Sequence, residues 1–154
     1  MLHMGEYEYS DLAKIVRSNL DDGLSIDNGA IEAVASVCRG NARNAVLMAK
    51  DNIVQYMKAN RIDTLMKRDW EDLCRVLSIR PLGLEESEVT VLKALGECVE
   101  GSSLNNLAAK TGFTRGAIQM EYEAFLVKKN LMTITPTGRK ITFKGREYLN
   151  AHIS

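Results

Sequence analysis

One short stretch near the carboxyl end constrains the fold most strongly. Residues 131–146 read Leu-Met-Thr-Ile-Thr-Pro-Thr-Gly-Arg-Lys-Ile-Thr-Phe-Lys-Gly-Arg and contain two β-prone runs, Met132–Thr135 and Lys140–Phe143. Between them lies Pro136–Arg139, in which the proline presets φ for a tight turn and the glycine tolerates a positive φ. The stretch therefore predicts a β-hairpin with a basic tip that is able to reach a phosphate group. An ordinary surface hairpin fits these residues equally well.

The first part of the chain, residues 5–80, predicts consecutive amphipathic helices. Apolar residues recur at helical spacing, and Ser10-Asp11 and Asp27 are of the types that cap helix N-termini. The apolar faces of the four predicted helices are Leu12, Ile15, Val16 and Leu20; Ile31, Val34, Ala35 and Cys38; Ala42, Val46, Ala49, Ile53 and Met57; and Trp70, Leu73, Val76 and Leu77. Such faces are buried against one another, so we expect a helical bundle.

The segment Arg80-Pro-Leu-Gly83 marks the predicted domain boundary, because proline disfavours helix in the preceding residue and glycine weakens it afterwards. Beyond it, a helix is predicted over Glu85–Glu97, and Ser103 and Thr114 each cap a further helix. The hairpin and a closing helix follow. This order of helix, helix-turn-helix, hairpin and helix is typical of a winged helix, which we predict for residues 81–154.

Charge is unevenly distributed, although 20 basic residues balance 20 acidic ones over the whole chain. Residues 81–127 carry 3 basic and 7 acidic groups, a net charge of −4, whereas residues 128–154 carry 6 basic groups and 1 acidic group, a net charge of +5. A polyanion would therefore be met by the hairpin and its flanks. The DNA-binding residues predicted there are Arg139, Lys140, Lys144 and Arg146.

The sequence contains no pattern of a self-sufficient active site. It has neither a G-x-x-x-x-G-K-[ST] phosphate loop nor a G-x-G-x-x-G turn, and its two histidines, His3 and His152, lie near the termini away from cysteine or carboxylate clusters. We therefore predict no catalytic residue and no metal site in this chain.

Cellular location is predicted from the cysteines and from hydropathy. Cys38, Cys74 and Cys98 are far apart and lie in apolar helical patterns, so we predict buried structural thiols and a reducing cytoplasm. No apolar run approaches transmembrane length, so no membrane partner is expected. The opening Met1-Leu-His-Met4 is typical of a cloning remnant, and we expect the natural product to begin upstream.

Two functions other than the wing contact remain open at this point. Arg115 and Gln119, near the start of the second helix of the helix-turn-helix, are suited to reading bases in a major groove, as in a stand-alone transcriptional regulator with a helical dimerisation or partner-binding domain. Glu121 and Glu123 follow them and disfavour phosphate approach. A winged helix that binds only protein is the other alternative.

Several short motifs in unbroken order resemble one family. They are Arg39-Gly-Asn-Ala-Arg43, Gly83-Leu-Glu, Leu107-Ala-Ala109, Tyr122-Glu-Ala-Phe-Leu126 and Thr135-Pro-Thr-Gly-Arg139. Together they resemble the C-terminal two-thirds of a RuvB-type Holliday-junction motor, in which a P-loop AAA+ core is followed by a small helical lid and a winged helix. The resemblance extends from Tyr7 to Tyr148. It implies a mainly α fold, with an AAA+ lid bundle followed by a winged-helix domain.

The resemblance implies roles for four residues. Arg43 matches the sensor-2 arginine that contacts the terminal phosphate of the nucleotide, Tyr7 and Ile15 match lid residues that pack about the adenine, and Arg139 matches a wing-tip arginine that contacts DNA. It also implies ATP with magnesium as the cofactor of the intact parent, double-stranded or junction DNA as the partner, and a hexamer formed together with the AAA+ core that this sequence lacks.

The sequence departs from the family pattern in two places. Where the family has Gly-Thr-Pro-Arg, this chain has Gly40-Asn-Ala-Arg43, which relaxes the helix start but keeps the arginine. Where the family often carries further wing arginines, this chain has Ile134 and Thr137. We therefore expect weak DNA binding by a single copy. The P-loop core of the family is also absent from this sequence, which is either an excised fragment or a RuvB-like protein lacking its motor, so we expect no ATP hydrolysis by this chain alone.

Overall fold

The computed structural model describes residues 7–153. The chain divides into two compact units, one ending at Gly83 and the other beginning at Leu84. The boundary predicted between residues 80 and 81 lies shortly before this division. The predictions about Met1–Met4 and His3 lie outside the described residues. Within the described part of the chain, no helix combines the length and the apolar character needed to cross a bilayer.

The first unit is a helical bundle, as predicted. Its elements are helix α1 (Tyr9–Ser18), strand β1 (Ser25–Ile26), helix α2 (Asn28–Ser36), helix α3 (residues 42–60), strand β2 (Thr64–Leu65), helix α4 (Lys67–Leu77) and a 3₁₀ turn (Pro81–Gly83). Helix α3 is continuous, but its middle segment, Met48–Ile53, is π-helical. The strands β1 and β2 pair in parallel, a contact that the sequence did not predict.

Local side-chain capping explains where helix α2 begins, but not where α1 begins. The Asp27 Oδ2 atom accepts a hydrogen bond of 2.8 Å from the Gly29 N–H, which confirms the predicted cap of α2. The predicted cap at Ser10-Asp11 is wrong, because α1 already begins at Tyr9 and its N-cap residue, Glu8, makes no side-chain capping bond.

The bundle encloses one hydrophobic core. Its buried residues are Leu12, Val16, Ile26, Ala30, Ile31, Val34, Ala35, Cys38, Ala45, Ala49, Ile53, Met57, Leu65, Trp70 and Leu73. Ile15 and Leu20 pack against this core while partly exposed, whereas Val76 is 74% exposed and does not belong to it. The predicted apolar faces are therefore confirmed for α1 and α2, and in part for α3 and α4. In α3, the predicted Ala42 and Val46 are only partly buried and do not belong to this core.

The second unit is a winged helix, which confirms the predicted fold class. Its elements are helix α5 (Glu86–Gly96), helix α6 (Leu104–Thr111), helix α7 (residues 115–128), strands β3 (Met132–Thr135) and β4 (Gly138–Ile141), and helix α8 (Phe143–His152). Helix α7 contains a π-helical segment, Ile118–Tyr122. The hydrophobic core of the second unit is formed by Leu84, Val89, Val91, Leu92, Ala94, Leu95, Leu107, Ile118, Phe125, Leu126, Leu131, Met132 and Tyr148.

The hairpin is present, but its second strand lies earlier than predicted. Thr135 pairs with Gly138, so only two residues form the turn and β4 begins at Gly138 rather than at Lys140. The strand ends before Phe143 because Thr142 caps helix α8, accepting a 2.9 Å bond from the Gly145 N–H through its Oγ1.

Candidate nucleic-acid interface

The helix-turn-helix is built from two capped helices. The Ser103 Oγ accepts from the Asn106 N–H at 3.1 Å, and the Thr114 Oγ1 accepts from the Ala117 N–H at 3.1 Å, so both predicted caps are confirmed. Gly112 joins the helices with a φ of +80°, which glycine adopts without strain. In a helix-turn-helix of this kind, the second helix, here α7, is the one that would enter the major groove of DNA.

The side chains that would read bases lie at the exposed start of α7. Arg115 donates from Nη1 to the Asn105 Oδ1 at 2.9 Å, so α6 holds its guanidinium. Gln119 and Met120 are exposed, Met120 by 77%. Gln119 therefore remains accessible for hydrogen bonding to base edges, whereas Arg115 is engaged by Asn105 and Met120 offers no hydrogen-bonding group.

The wing is attached to the rest of the unit through the backbone of Arg139. Its N–H donates to the Ser102 carbonyl at 2.7 Å, and the Ser102 N–H donates to the Arg139 carbonyl at 2.8 Å. Neighbouring glycines allow this approach: a Cβ at Gly138 would lie 2.9 Å from the Ser102 oxygen, and one at Gly101 would lie 3.1 Å from the Arg139 oxygen. Strand β4 therefore has a partner on each side, β3 and Ser102.

The Arg139 side chain also makes contacts within the second unit. Its Nε lies 2.6 Å from the Glu123 Oε2, and its Nη2 lies 3.4 Å from the Glu123 Oε1. The Arg139 side chain is 17% exposed and that of Glu123 is 2% exposed. Contact of Arg139 with DNA stays a prediction, but in this structure its charge is directed into helix α7 and is compensated there.

The other three predicted DNA-binding residues divide into two groups. Arg146 is partly buried and donates from Nη1 to the Gly96 carbonyl at 3.4 Å, at the end of α5. Lys140 and Lys144 are exposed, on β4 and on the first turn of α8. Of the four predicted DNA-binding residues, the two lysines are therefore the ones whose charges are accessible.

Glu123 has a role that the sequence analysis missed. There it was only one of two acidic residues expected to disfavour phosphate approach, yet it is almost completely buried. Its position in the sequence between Tyr122 and the apolar Phe125-Leu126 pair was the available signal, because this places it beside the core-facing side of the helix.

The residues predicted to bind nucleotide lie in the first unit. The Tyr7 N–H donates to the Gly40 carbonyl at 3.0 Å, which ties this exposed tyrosine to the segment that leads into α3. Arg43 is exposed in the first turn of α3, while Ile15 lies partly buried against the core. Tyr7 and Arg43 are thus brought to the same end of the bundle and are accessible, as a nucleotide would require.

The start of α3 is capped. The Asn41 Oδ1 accepts from the Arg43 N–H at 2.8 Å and from the Asn44 N–H at 3.3 Å. These two backbone donors are therefore satisfied within the protein, and an anion at this helix start would rely on the Arg43 guanidinium.

The cysteines are free thiols, but they are less uniformly buried than predicted. Cys38 is buried, whereas Cys74 and Cys98 are partly exposed. Burial raises the pKa of the Cys38 thiol to about 11, and burial followed by the Glu71 charge raises the pKa of Cys74 to about 11. These two thiols are protonated at neutral pH, so they are poor nucleophiles.

Comparison with protein families assigns the second unit. Residues 81–150 match the RuvB C-terminal winged helix domain. Among curated proteins, the Holliday junction branch migration complex subunit RuvB of Thermotoga maritima is 29% identical over 160 residues, covering 99% of this chain and 46% of that protein. The same subunit of Lactococcus lactis is 29% identical over 153 residues, covering 96% of this chain and 45% of that protein.

Comparison with solved structures extends across both units. The Thermotoga maritima RuvB Holliday junction branch migration motor superimposes with a TM-score of 0.77 at 26% identity, covering 95% of this chain and 50% of that one. The chain spans about half the length of the relatives it matches. Residues 81–150 therefore match the RuvB C-terminal winged helix domain, and the chain as a whole is similar to about half of RuvB.

Proposed function

We propose that this chain is the C-terminal part of a RuvB-like AAA+ ATP-dependent DNA motor that acts in Holliday junction branch migration. The observation that carries the proposal is the likeness to RuvB along both units, with a TM-score of 0.77 over 95% of the chain. The first unit would serve as the lid over ATP and the second would contact DNA. The intact protein would form a hexamer. It would act in the cytoplasm, a reducing compartment in which free thiols such as these three cysteines persist.

The lid residues fit part of a nucleotide site. Arg43 would hold the terminal phosphate with its guanidinium, and Tyr7 and Ile15 would pack about the adenine. ATP with magnesium supplies the transferable phosphoryl group when it is bound. The contribution of this chain is positioning and charge stabilisation, for which one placed arginine matters greatly.

The DNA contact would be made by the exposed lysines of the wing and of the following helix turn. Lys140 and Lys144 carry accessible charge, whereas the charge of Arg139 is compensated by Glu123. Two phosphate contacts give weak, sequence-independent binding, which a ring of six copies would multiply.

Two measurements test the proposal. The purified chain should not hydrolyse ATP. Hydrolysis by the chain that Arg43→Ala abolishes would contradict the proposal that this chain only positions the nucleotide and stabilises its charge. Fluorescence anisotropy should give similar affinities for linear duplexes of unrelated sequence, whereas a stand-alone regulator would favour one sequence by about 1,000-fold or more. The regulator is the less favoured reading, because the comparisons extend over the helical unit as well as the winged helix.

A further inference from the structure

We infer that Arg139 is a positioning residue of the wing, which acts by locking the hairpin to helix α7 through Glu123 and not by contacting phosphate itself. The inference deepens the proposed DNA-binding function and rests on it for its effect on DNA. The bracing itself stands on contacts within the second unit.

The ion pair lies where the wing joins the helix-turn-helix. Strand β4 leaves the turn at Gly138, and Arg139 is its next residue. The backbone of Arg139 is bonded to Ser102, and its guanidinium makes two contacts with the carboxylate of Glu123. One residue thus connects the hairpin to the segment before α6 and to the middle of α7. A change at this point would alter the direction of the whole tip.

Burial makes Arg139 a poor phosphate ligand. To reach DNA, the guanidinium would have to leave Glu123, and the carboxylate would then remain 2% exposed without its charged partner. Removing one member of a buried pair costs far more than the pair contributes, because the remaining charge is left uncompensated. The neighbouring Lys140 is exposed and needs no such rearrangement.

Two glutamate variants separate bracing from phosphate contact. Glu123→Gln and Glu121→Gln remove the same charge from the same helix, but Glu121 is exposed while Glu123 holds Arg139. If Arg139 is a phosphate ligand restrained by Glu123, both variants should bind DNA more tightly. If Arg139 braces the wing, the two variants should change the affinity for DNA in opposite directions. Glu121→Gln should strengthen binding slightly. Glu123→Gln should weaken it by on the order of 3- to 10-fold, the size of coupling expected between contacting residues.

Amide hydrogen exchange tests the brace without DNA. The amides of Ser102 and Arg139 bond across the wing junction and should lose protection in Glu123→Gln but keep it in Glu121→Gln. Unchanged protection in Glu123→Gln would overturn the inference, even if the variant bound DNA more weakly. Absence of DNA binding by the unmodified chain at low salt would instead remove the proposed function, while the exchange result would still decide whether Arg139 braces the wing.

A double variant guards against simple unfolding. If Glu123→Gln disrupts the second unit, Glu123→Gln with Arg139→Gln should recover helical signal, because the unpaired buried charge is gone. The pair should also be non-additive in affinity for DNA. Losses of affinity that add in the double variant would overturn the inference. The inference would also fail if Arg139→Gln alone reduced the salt dependence of binding as much as Lys140→Gln does, because Arg139 would then contact phosphate.

Discussion

Ser102 and Arg139 exchange two backbone hydrogen bonds, of 2.7 and 2.8 Å, so the second strand of the wing is paired on both of its edges. The hairpin is therefore an extension of the helix-turn-helix and not a free surface loop. Its orientation is set within the protein, which would preorganise the exposed lysine beside the pairing, Lys140, for the proposed contact with DNA.

The packing of helix α8 on the wing predicts different effects for two glycines near helix starts. A Cβ at Gly145 would collide with the Leu131 carbonyl oxygen and lie 2.8 Å from the Ile141 Cγ1, whereas one at Gly116 meets nothing within 4 Å. Gly145→Ala should destabilise the second unit by about 1–3 kcal/mol or more. Gly116→Ala should be neutral or stabilise it by up to about 1 kcal/mol. Urea unfolding followed by circular dichroism measures both, and equal effects would contradict the packing described.

The cap of helix α3 predicts a stability effect at Asn41 but none at Arg43. Asn41→Ala removes the acceptor of two backbone N–H groups and should cost about 0.5–2 kcal/mol. Arg43→Ala changes an exposed side chain and should stay within about 0.5 kcal/mol of the unmodified chain. The fluorescence of Trp70, the single tryptophan, reports unfolding of this unit. A large loss in Arg43→Ala would show that this arginine supports the fold and is not held free for a ligand.

Burial of Cys38 predicts a loss of stability at alkaline pH. Its pKa rises from 9.0 to about 11 on folding, so the folded state holds the proton more tightly than the unfolded state. The stabilisation is complete below pH 9.0 and is lost as pH rises towards about 11. The urea midpoint from Trp70 fluorescence should fall across this window, and less steeply in Cys38→Ala. Identical slopes for the two proteins would refute the assignment to this thiol.

The accessible charge at the wing predicts a local effect on DNA binding. Lys140→Gln should weaken binding to all duplexes alike and reduce the slope of log affinity against log salt by about 0.9, because one phosphate contact is lost. Lys50→Gln removes an exposed lysine from the first unit and is the matched control, expected to leave the slope unchanged. A sequence-dependent effect of Lys140→Gln would indicate base readout instead.

Local signals made much of this fold predictable from the sequence. Asp27, Ser103 and Thr114 cap helices through bonds to residues two or three positions away, and such bonds depend only on nearby sequence. The parallel pairing of β1 with β2 was not predictable in this way. The paired residues Ser25 and Thr64 are 39 positions apart in the sequence. Each strand has only two residues and is too short to show a periodic pattern.

The candidate DNA surface was predicted less well, for a related reason. Net charge located the basic segment, but a count of charges does not show which side chains are already paired. Arg139 and Glu123 are 16 positions apart and meet only because the hairpin packs on helix α7. The accessible positive charge at the wing is consequently smaller than the sequence indicated.

The most direct test of this account is the salt dependence of binding between the unmodified chain and a four-way DNA junction, measured by fluorescence anisotropy. Contacts from Lys140 and Lys144 predict detectable binding at low salt and a slope of log affinity against log salt of about −1.8, the value for two phosphates. Junction arms of unrelated sequence should give the same slope. Absence of binding at low salt, or binding whose affinity does not change with salt, would contradict the claim that this wing contacts the DNA backbone.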